Sequence, residues 1–173
     1  LIYPIYKSTY ERGDDLNSDY QNRTTFYRDH VIMWSKDLAR TLDYIETRRD
    51  LDHEKVAYYG LSWGAALGPI FAAGEKRIKV VLLVGGGLMF QETLPEVDPF
   101  NFAPRMKQPA LLANGRYDYF FPIDSSQRPF FRFLGAPENE KRYVIFETGH
   151  VPPNDLLIKE ILDWLDRYLG RVE

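Results

Sequence analysis

The chain has 173 residues, 45% of them hydrophobic, enough for one domain with a continuous apolar core. Twenty-two basic residues against 25 acidic ones leave a net charge of −3, which supplies no drive toward nucleic acid or an anionic membrane surface. With no cysteine, disulfides and thiolate metal sites are excluded, the compartment stays open, and a small molecule or another protein is the expected partner.

The apolar run at residues 1–6 reads as a strand already in progress. Because it opens on Leu1 rather than Met, we expect a fragment or processed chain with more protein upstream. A polar loop follows over residues 7–25. Residues 29–48 predict a helix, with Val31, Trp34, Leu38, Leu42 and Ile45 forming one buried stripe. Residues 55–59 form a short strand ending at Gly60, and 62–73 a helix with Ala65, Ala66, Leu67, Ile70 and Phe71 for packing. Residues 78–84 are apolar throughout and halt at Gly85-Gly86-Gly87. Such a strand is buried on both faces, as in a parallel sheet covered by helices.

Residues 91–105 carry Pro95, Pro99 and Pro104 and read as irregular. They could form a small cap over a site or a plain surface connection. A strand over 109–113, a helix over 123–134, a strand over 143–146 and a helix over 154–169 complete the chain. Leu157, Ile161, Leu162, Trp164 and Leu165 are assigned to the inner side of the last helix. Strands alternate with helices throughout, so the expected class is α/β, with a mostly parallel sheet flanked by helices.

Gly60-Leu61-Ser62-Trp63-Gly64 matches G-x-S-x-G between a predicted strand and a predicted helix. There the chain must reverse sharply enough to lift the serine hydroxyl above the sheet. Glycine on both sides is expected because a Cβ at either place would collide with nearby backbone. A plainer reading is a glycine-flanked turn in which Ser62 caps the helix. Serine alone is a poor nucleophile and needs a base and an orienting acid. His150 follows the last strand and is the one histidine C-terminal to Ser62; His30, on a helix, and His53, at the opposite edge of the sheet, read as structural. No two histidines have metal-ligand spacing, and acyl transfer by a serine, a base and an acid needs neither a metal nor an organic cofactor. Asp118 follows the strand before the last and is the preferred acid. Asp124, in a helical first turn, and Asp98 are its rivals.

With these residues in place, the chain resembles the α/β-hydrolase superfamily along nearly its whole length. Tyr59-Gly60-Leu61-Ser62-Trp63-Gly64 and Gly115-Arg116-Tyr117-Asp118 are most similar to the dienelactone-hydrolase and prolyl-oligopeptidase-like branch. The chain is also similar to hydrolase domains at the C-terminal end of bacterial multidomain proteins that carry a protein kinase. The resemblance implies cleavage of a carboxylic ester or related acyl bond through an acyl-enzyme, with Ser62 as nucleophile, His150 as base and Asp118 as acid. It also implies an oxyanion held by the Trp63 N–H and by a donor from an earlier loop. That loop and the first strands of such a fold have no counterpart here, so the sheet is expected to expose an apolar edge and the chain alone to be poorly active. A prolyl-oligopeptidase-type peptidase and a non-catalytic hydrolase-like module remain alternatives. Trp63, Phe90, Phe100, Phe102, Tyr119, Phe120 and Phe121 are placed around the serine, with Phe90, Tyr119 and Phe120 as candidate substrate contacts.

Overall fold

A computed structural model of the protein describes residues 1–16, 18 and 20–171. Four parallel strands make one sheet in the order β1-β2-β3-β4: Ala57–Leu61, Val80–Val84, Ala110–Gly115 and Lys141–Phe146. Every residue of β2 and β3 is buried, as the unbroken apolar sequence of β2 requires; the one polar side chain in β3, Asn114, donates to Gly86 O at 2.6 Å. Because all four strands run the same way, the segments that leave their C-terminal ends share one rim of the sheet.

Helices cover both faces. On one side lie α1 (Thr25–Thr47) and α2 (Trp63–Gly74), joined by the short α3 (Pro99–Phe102) and α4 (Arg128–Phe133). The Thr24 hydroxyl accepts the Tyr27 N–H at 3.1 Å and starts α1. Val31, Trp34, Leu38 and Leu42 then bury one stripe of that helix against Leu67, Phe71, Val81, Leu83 and Leu112. Ile45, the last residue of the predicted stripe, is half-buried at its border.

On the other face α5 (Asn154–Leu169) sets Leu157 and Trp164 on Val80, Leu82, Val84, Leu111 and Ala113. Its bounds coincide with those predicted. Leu162, assigned to the inner side, is instead exposed. It stands about 100° round the helix from Ile161, beyond the covered arc. At the free edge of the sheet, Tyr59 and Leu61 of β1 face the α5 side and are 44% and 43% exposed.

The opening run is not a strand. Among the described residues no strand pairs with residues 1–6, and the backbone of Ile5 and Lys7 bonds to side chains instead. The Arg12 guanidinium donates to Ile5 O at 2.8 Å, the Lys7 N–H to Asp37 at 2.8 Å, and the Trp34 indole to Lys7 O at 2.7 Å. The predicted helix over 123–134 also divides. A π-helical turn, Ile123–Gln127, precedes α4, and Pro129, lacking an N–H, interrupts the ladder just after it.

Residues 91–105 are partly helical rather than irregular, with single 3₁₀ turns at Pro95–Val97 and Ala103–Arg105 around α3. Val97 and Ala103 are buried in the core with α1 and α2. No helix among the described residues is long and apolar enough to cross a membrane.

Candidate active site

Between Leu61, which ends β1, and Trp63, which begins α2, Ser62 alone makes the reversal. It sits at φ 54° and ψ −112°, a conformation costing a non-glycine residue about 1–3 kcal/mol. The surrounding bonds hold it there. The Ser62 N–H donates to Val84 O at 2.7 Å, and its carbonyl accepts from the Ala65 and Ala66 N–H groups, each at 3.0 Å. Ser62 stands at the N-cap position of α2, but its hydroxyl makes no capping bond to the helix and is turned to His150 instead.

Gly60 is required by close approach, since a Cβ there would lie 2.4 Å from Gly64 O. Gly64 corrects the expectation of two obligatory glycines. A Cβ at that position meets only the Tyr58 hydroxyl, at an ordinary 3.6 Å. The Trp63 N–H opens α2, where first-turn N–H groups lack an intrahelical acceptor and favour developing negative charge. The Trp63 side chain stands edge-on to Trp34, ring centres 4.5 Å apart, with its indole N–H buried and unpartnered.

His150 lies in the segment after β4 and Asp118 in the segment after β3. The two segments approach so closely that a Cβ on Gly115 would sit 1.7 Å from Gly149 O. At the rim, His150 Nε2 is 2.7 Å from Ser62 Oγ, and His150 Nδ1 is 2.8 Å from Asp118 Oδ2. A carboxylate accepts only, so Nδ1 donates to Asp118 and Nε2 is left to accept the serine proton. Asp118 is 3% exposed. Its second oxygen accepts the N–H groups of Phe120 at 2.9 Å and Phe121 at 3.2 Å, which compensates for burying the charge. Phe121 stacks on the imidazole at 6.0 Å and Phe120 meets it edge-on at 4.9 Å. Ser62, His150 and Asp118 thus form one hydrogen-bonded line.

The rivals are occupied elsewhere. Asp98 caps α3 by accepting the Phe100 N–H at 3.0 Å, and Asp124 pairs with Arg128. His30 is buried in α1 and bonded to Asp14, while His53 is exposed beside Glu54.

A cleft of about 470 Å³ opens over the serine. Trp63, Phe90, Tyr119, Phe120 and Phe121 line it, together with Tyr20, Met89 and Gln91. Phe100 and Phe102 do not. Phe100 meets Phe133 edge-on at 4.8 Å, and Phe102 borders a separate groove between α1 and the 96–102 segment. Of residues 91–105, only Gln91 reaches the cleft. Sequence reasoning missed Tyr20 and Met89. Tyr20 lies in a polar loop without periodicity, whereas Met89 follows the glycine turn after β2 and was findable by the rule that places sites at strand ends. Among the described residues, no three His, Asp or Glu side chains are grouped as a metal ion would need.

A family model described as PhoPQ-activated pathogenicity-related protein matches residues 40–167, most of the chain and all four strands. The chain belongs to this family. No curated protein matches this PhoPQ-activated pathogenicity-related family member. Among solved structures it is similar to a cold-adapted esterase from an Arctic intertidal metagenomic library, with a TM-score of 0.66 and 27% identity. That match covers 82% of this chain and 59% of the esterase. An acetyl xylan esterase from Paenibacillus sp. R4 aligns with a TM-score of 0.65 at 22% identity, over 83% of this chain and 54% of that one. The Pyrococcus furiosus esterase Pf2001 aligns at 0.65 and 16%, over 85% and 65%. The family member therefore has the α/β-hydrolase fold, and it spans about three fifths of the length of the Arctic esterase.

Proposed function

We propose that the chain is the C-terminal part of a serine hydrolase domain that cleaves a carboxylic ester through an acyl-enzyme intermediate. The observation that carries this reading is the unbroken line of short hydrogen bonds from Ser62 through His150 to Asp118. In the forward step the Ser62 oxygen attacks the ester carbonyl while its proton passes to His150 Nε2. Asp118 holds the ring in the receptive tautomer and stabilises the imidazolium that forms. The Trp63 N–H, at the positive end of α2, donates to the oxyanion. His150 then protonates the departing alcohol, and water releases the acyl group by the same route.

A second oxyanion donor is assigned to a portion of the domain beyond these residues, in keeping with the chain's partial span of the Arctic esterase. The aromatic cleft suits a small ester with an apolar acyl or alcohol group, held by Phe90, Tyr119 and Phe120. Gly115-Arg116-Tyr117-Asp118 and the serine turn support assigning the domain to the dienelactone-hydrolase and prolyl-oligopeptidase-like branch as part of this proposal.

Two assays together test the reading: hydrolysis of an activated acetate ester, and labelling by a fluorophosphonate. In the full-length protein, which supplies the second oxyanion donor, the wild type should show both and Ser62→Ala neither. Labelling that persists in the Ser62→Ala protein, or a wild-type protein inert to both reagents, overturns the assignment. Faster cleavage of a dipeptidyl amide than of the ester would replace the esterase reading with a peptidase one.

A further inference from the structure

Two adjacent buried side chains on the π-helical turn, Ser126 and Gln127, reach the two segments that flank the cleft, and neither has a role in the chemistry above. The turn itself is held by Pro122 O, which accepts the N–H groups of Ser126 at 2.9 Å and Gln127 at 3.2 Å. The second of these is an i to i−5 bond, and the widened turn points both side chains inward.

The Gln127 amide is fully buried and fully used. Its nitrogen donates to Gly115 O at 3.0 Å and to Phe121 O at 2.7 Å, while its oxygen accepts the Tyr143 hydroxyl. Gly115 and Phe121 are the two ends of the loop that carries Asp118. Burial pushes the Tyr143 phenol up to about 12, so it remains a donor at any working pH. Because that donor occupies the amide oxygen, the amide nitrogen must face the two carbonyls. Ser126 does for the neighbouring segment what Gln127 does for this one. Its hydroxyl donates to Leu88 O at 2.7 Å, immediately before Met89 and Phe90 in the cleft wall.

We propose that this turn is the positioning element of the site: Gln127 clamps both ends of the 115–121 loop so that Asp118 stays aimed at His150, and Ser126 fixes the wall formed by Met89 and Phe90. The inference rests on reading Asp118 as the orienting acid. Its consequences divide by residue. Loss of the Gln127 amide protons loosens the acid and slows the chemical step, whereas loss of the Ser126 hydroxyl loosens the wall and weakens substrate binding.

The experiment compares Gln127→Glu, Gln127→Met and Ser126→Ala with wild type, well below their unfolding temperatures. It measures kcat and KM for a short ester across pH, and the rate of Ser62 phosphonylation. Gln127→Glu replaces two donors by acceptors facing carbonyl oxygens, and Gln127→Met removes the amide at similar length. Both should lower kcat and the labelling rate by about 10- to 100-fold, displace the acidic limb of the kcat/KM profile, and leave KM nearly unchanged. Ser126→Ala should raise KM several-fold and hold kcat and the pH profile in place.

Where Gln127→Glu does not fold, Gln127→Met and the low-field proton signal of the His150–Asp118 hydrogen bond decide the matter. That signal should broaden or move in the Met variant. Gln127 variants that unfold at lower temperature but keep wild-type kcat, pH profile and proton signal would reduce the turn to a structural one and overturn the proposal. A wild-type protein that Ser62→Ala leaves unaltered would instead sink the hydrolase reading itself, so the two failures are distinguishable.

Discussion

The molecule contains two histidines paired with aspartate, His30 buried and His150 partly exposed at the rim, and their third partners set them apart. At the rim, His150 is bracketed by Asp118, which accepts, and by the Ser62 hydroxyl, which donates. In α1, His30 is bracketed by two acceptors, Asp14 Oδ2 at 2.9 Å and the Phe26 carbonyl at 2.8 Å. The first ring keeps one nitrogen free to receive a proton. In the second, both nitrogens are taken up by oxygens of the fold, and neither faces a hydroxyl or the cleft. Around it, Lys7 pairs with the same Asp14, and Arg12 with Asp37. The described residues before α1, none of them in a strand, are thereby tied to the helix. An Asp–His pair is therefore not by itself a sign of catalysis; what the far nitrogen faces decides between a proton relay and a clasp.

Substitutions that keep each fold but change one partner should separate the two pairs. The largest effect belongs to His150→Ala, which removes the proposed base and, on that proposal, should reduce ester turnover by roughly 10⁴-fold or more, with little change in unfolding temperature. Steady-state kinetics beside a thermal melt reads both. Asp118→Asn should come next, at roughly 10³- to 10⁴-fold. The Asp118 oxygen that accepts from Phe120 and Phe121 would remain an acceptor, which turns the asparagine NH₂ toward His150 Nδ1. His150 would then have to carry its proton on Nε2, facing Ser62, and could no longer act as base. Near-wild-type turnover in Asp118→Asn would break the contrast between the two pairs.

Much of this was legible before any coordinates, and the exceptions share a cause. The apolar run at 78–84 could only be a strand buried on both faces, and the stripe of α5 located that helix from end to end, with only Leu162 misassigned. Ser62, Asp118 and His150 were readable from their positions just after three strands, since parallel strands deliver their C-terminal ends to one rim. Three other features depend on what lies across from a residue rather than beside it in sequence. Residues 1–6 have strand composition, but a ladder requires a neighbour. The turn at Ile123–Gln127 is defined by an i to i−5 bond that leaves no apolar period. The freedom at Gly64 appears only once its surroundings are empty enough to see. Local sequence reports propensity and periodicity well, and the identity of the opposing surface poorly.

The clasp yields the smaller effects. His30→Gln keeps a polar side chain but cannot reach both acceptors, and a lost bond at a site 3% exposed costs about 1–3 kcal/mol. For a chain this long that is a fall in unfolding temperature of roughly 2–10 °C, with kcat for the ester unaltered. A change in kcat would mean that the clasp reaches the rim after all.

Asp14→Asn gives the smallest effect and the most informative sign. Hydrogen bonds from His30, then from Lys7, hold the Asp14 carboxyl well below its ordinary value of 3.8. A carboxylate whose folded pKa is depressed adds stability above its unfolded pKa and loses it as the pH falls toward the folded one. Wild type should therefore unfold at a higher temperature than Asp14→Asn near neutral pH, and the gap should narrow progressively below about pH 4. The carboxylate is partly open to solvent, so the gap is modest and shrinks in high salt. Thermal melts of both proteins from about pH 7 down to pH 2 measure it. A gap that stays constant or widens on acidification would show that Asp14 contributes nothing through its charge. The clasp would then hold the segment before α1 by packing and neutral hydrogen bonds alone.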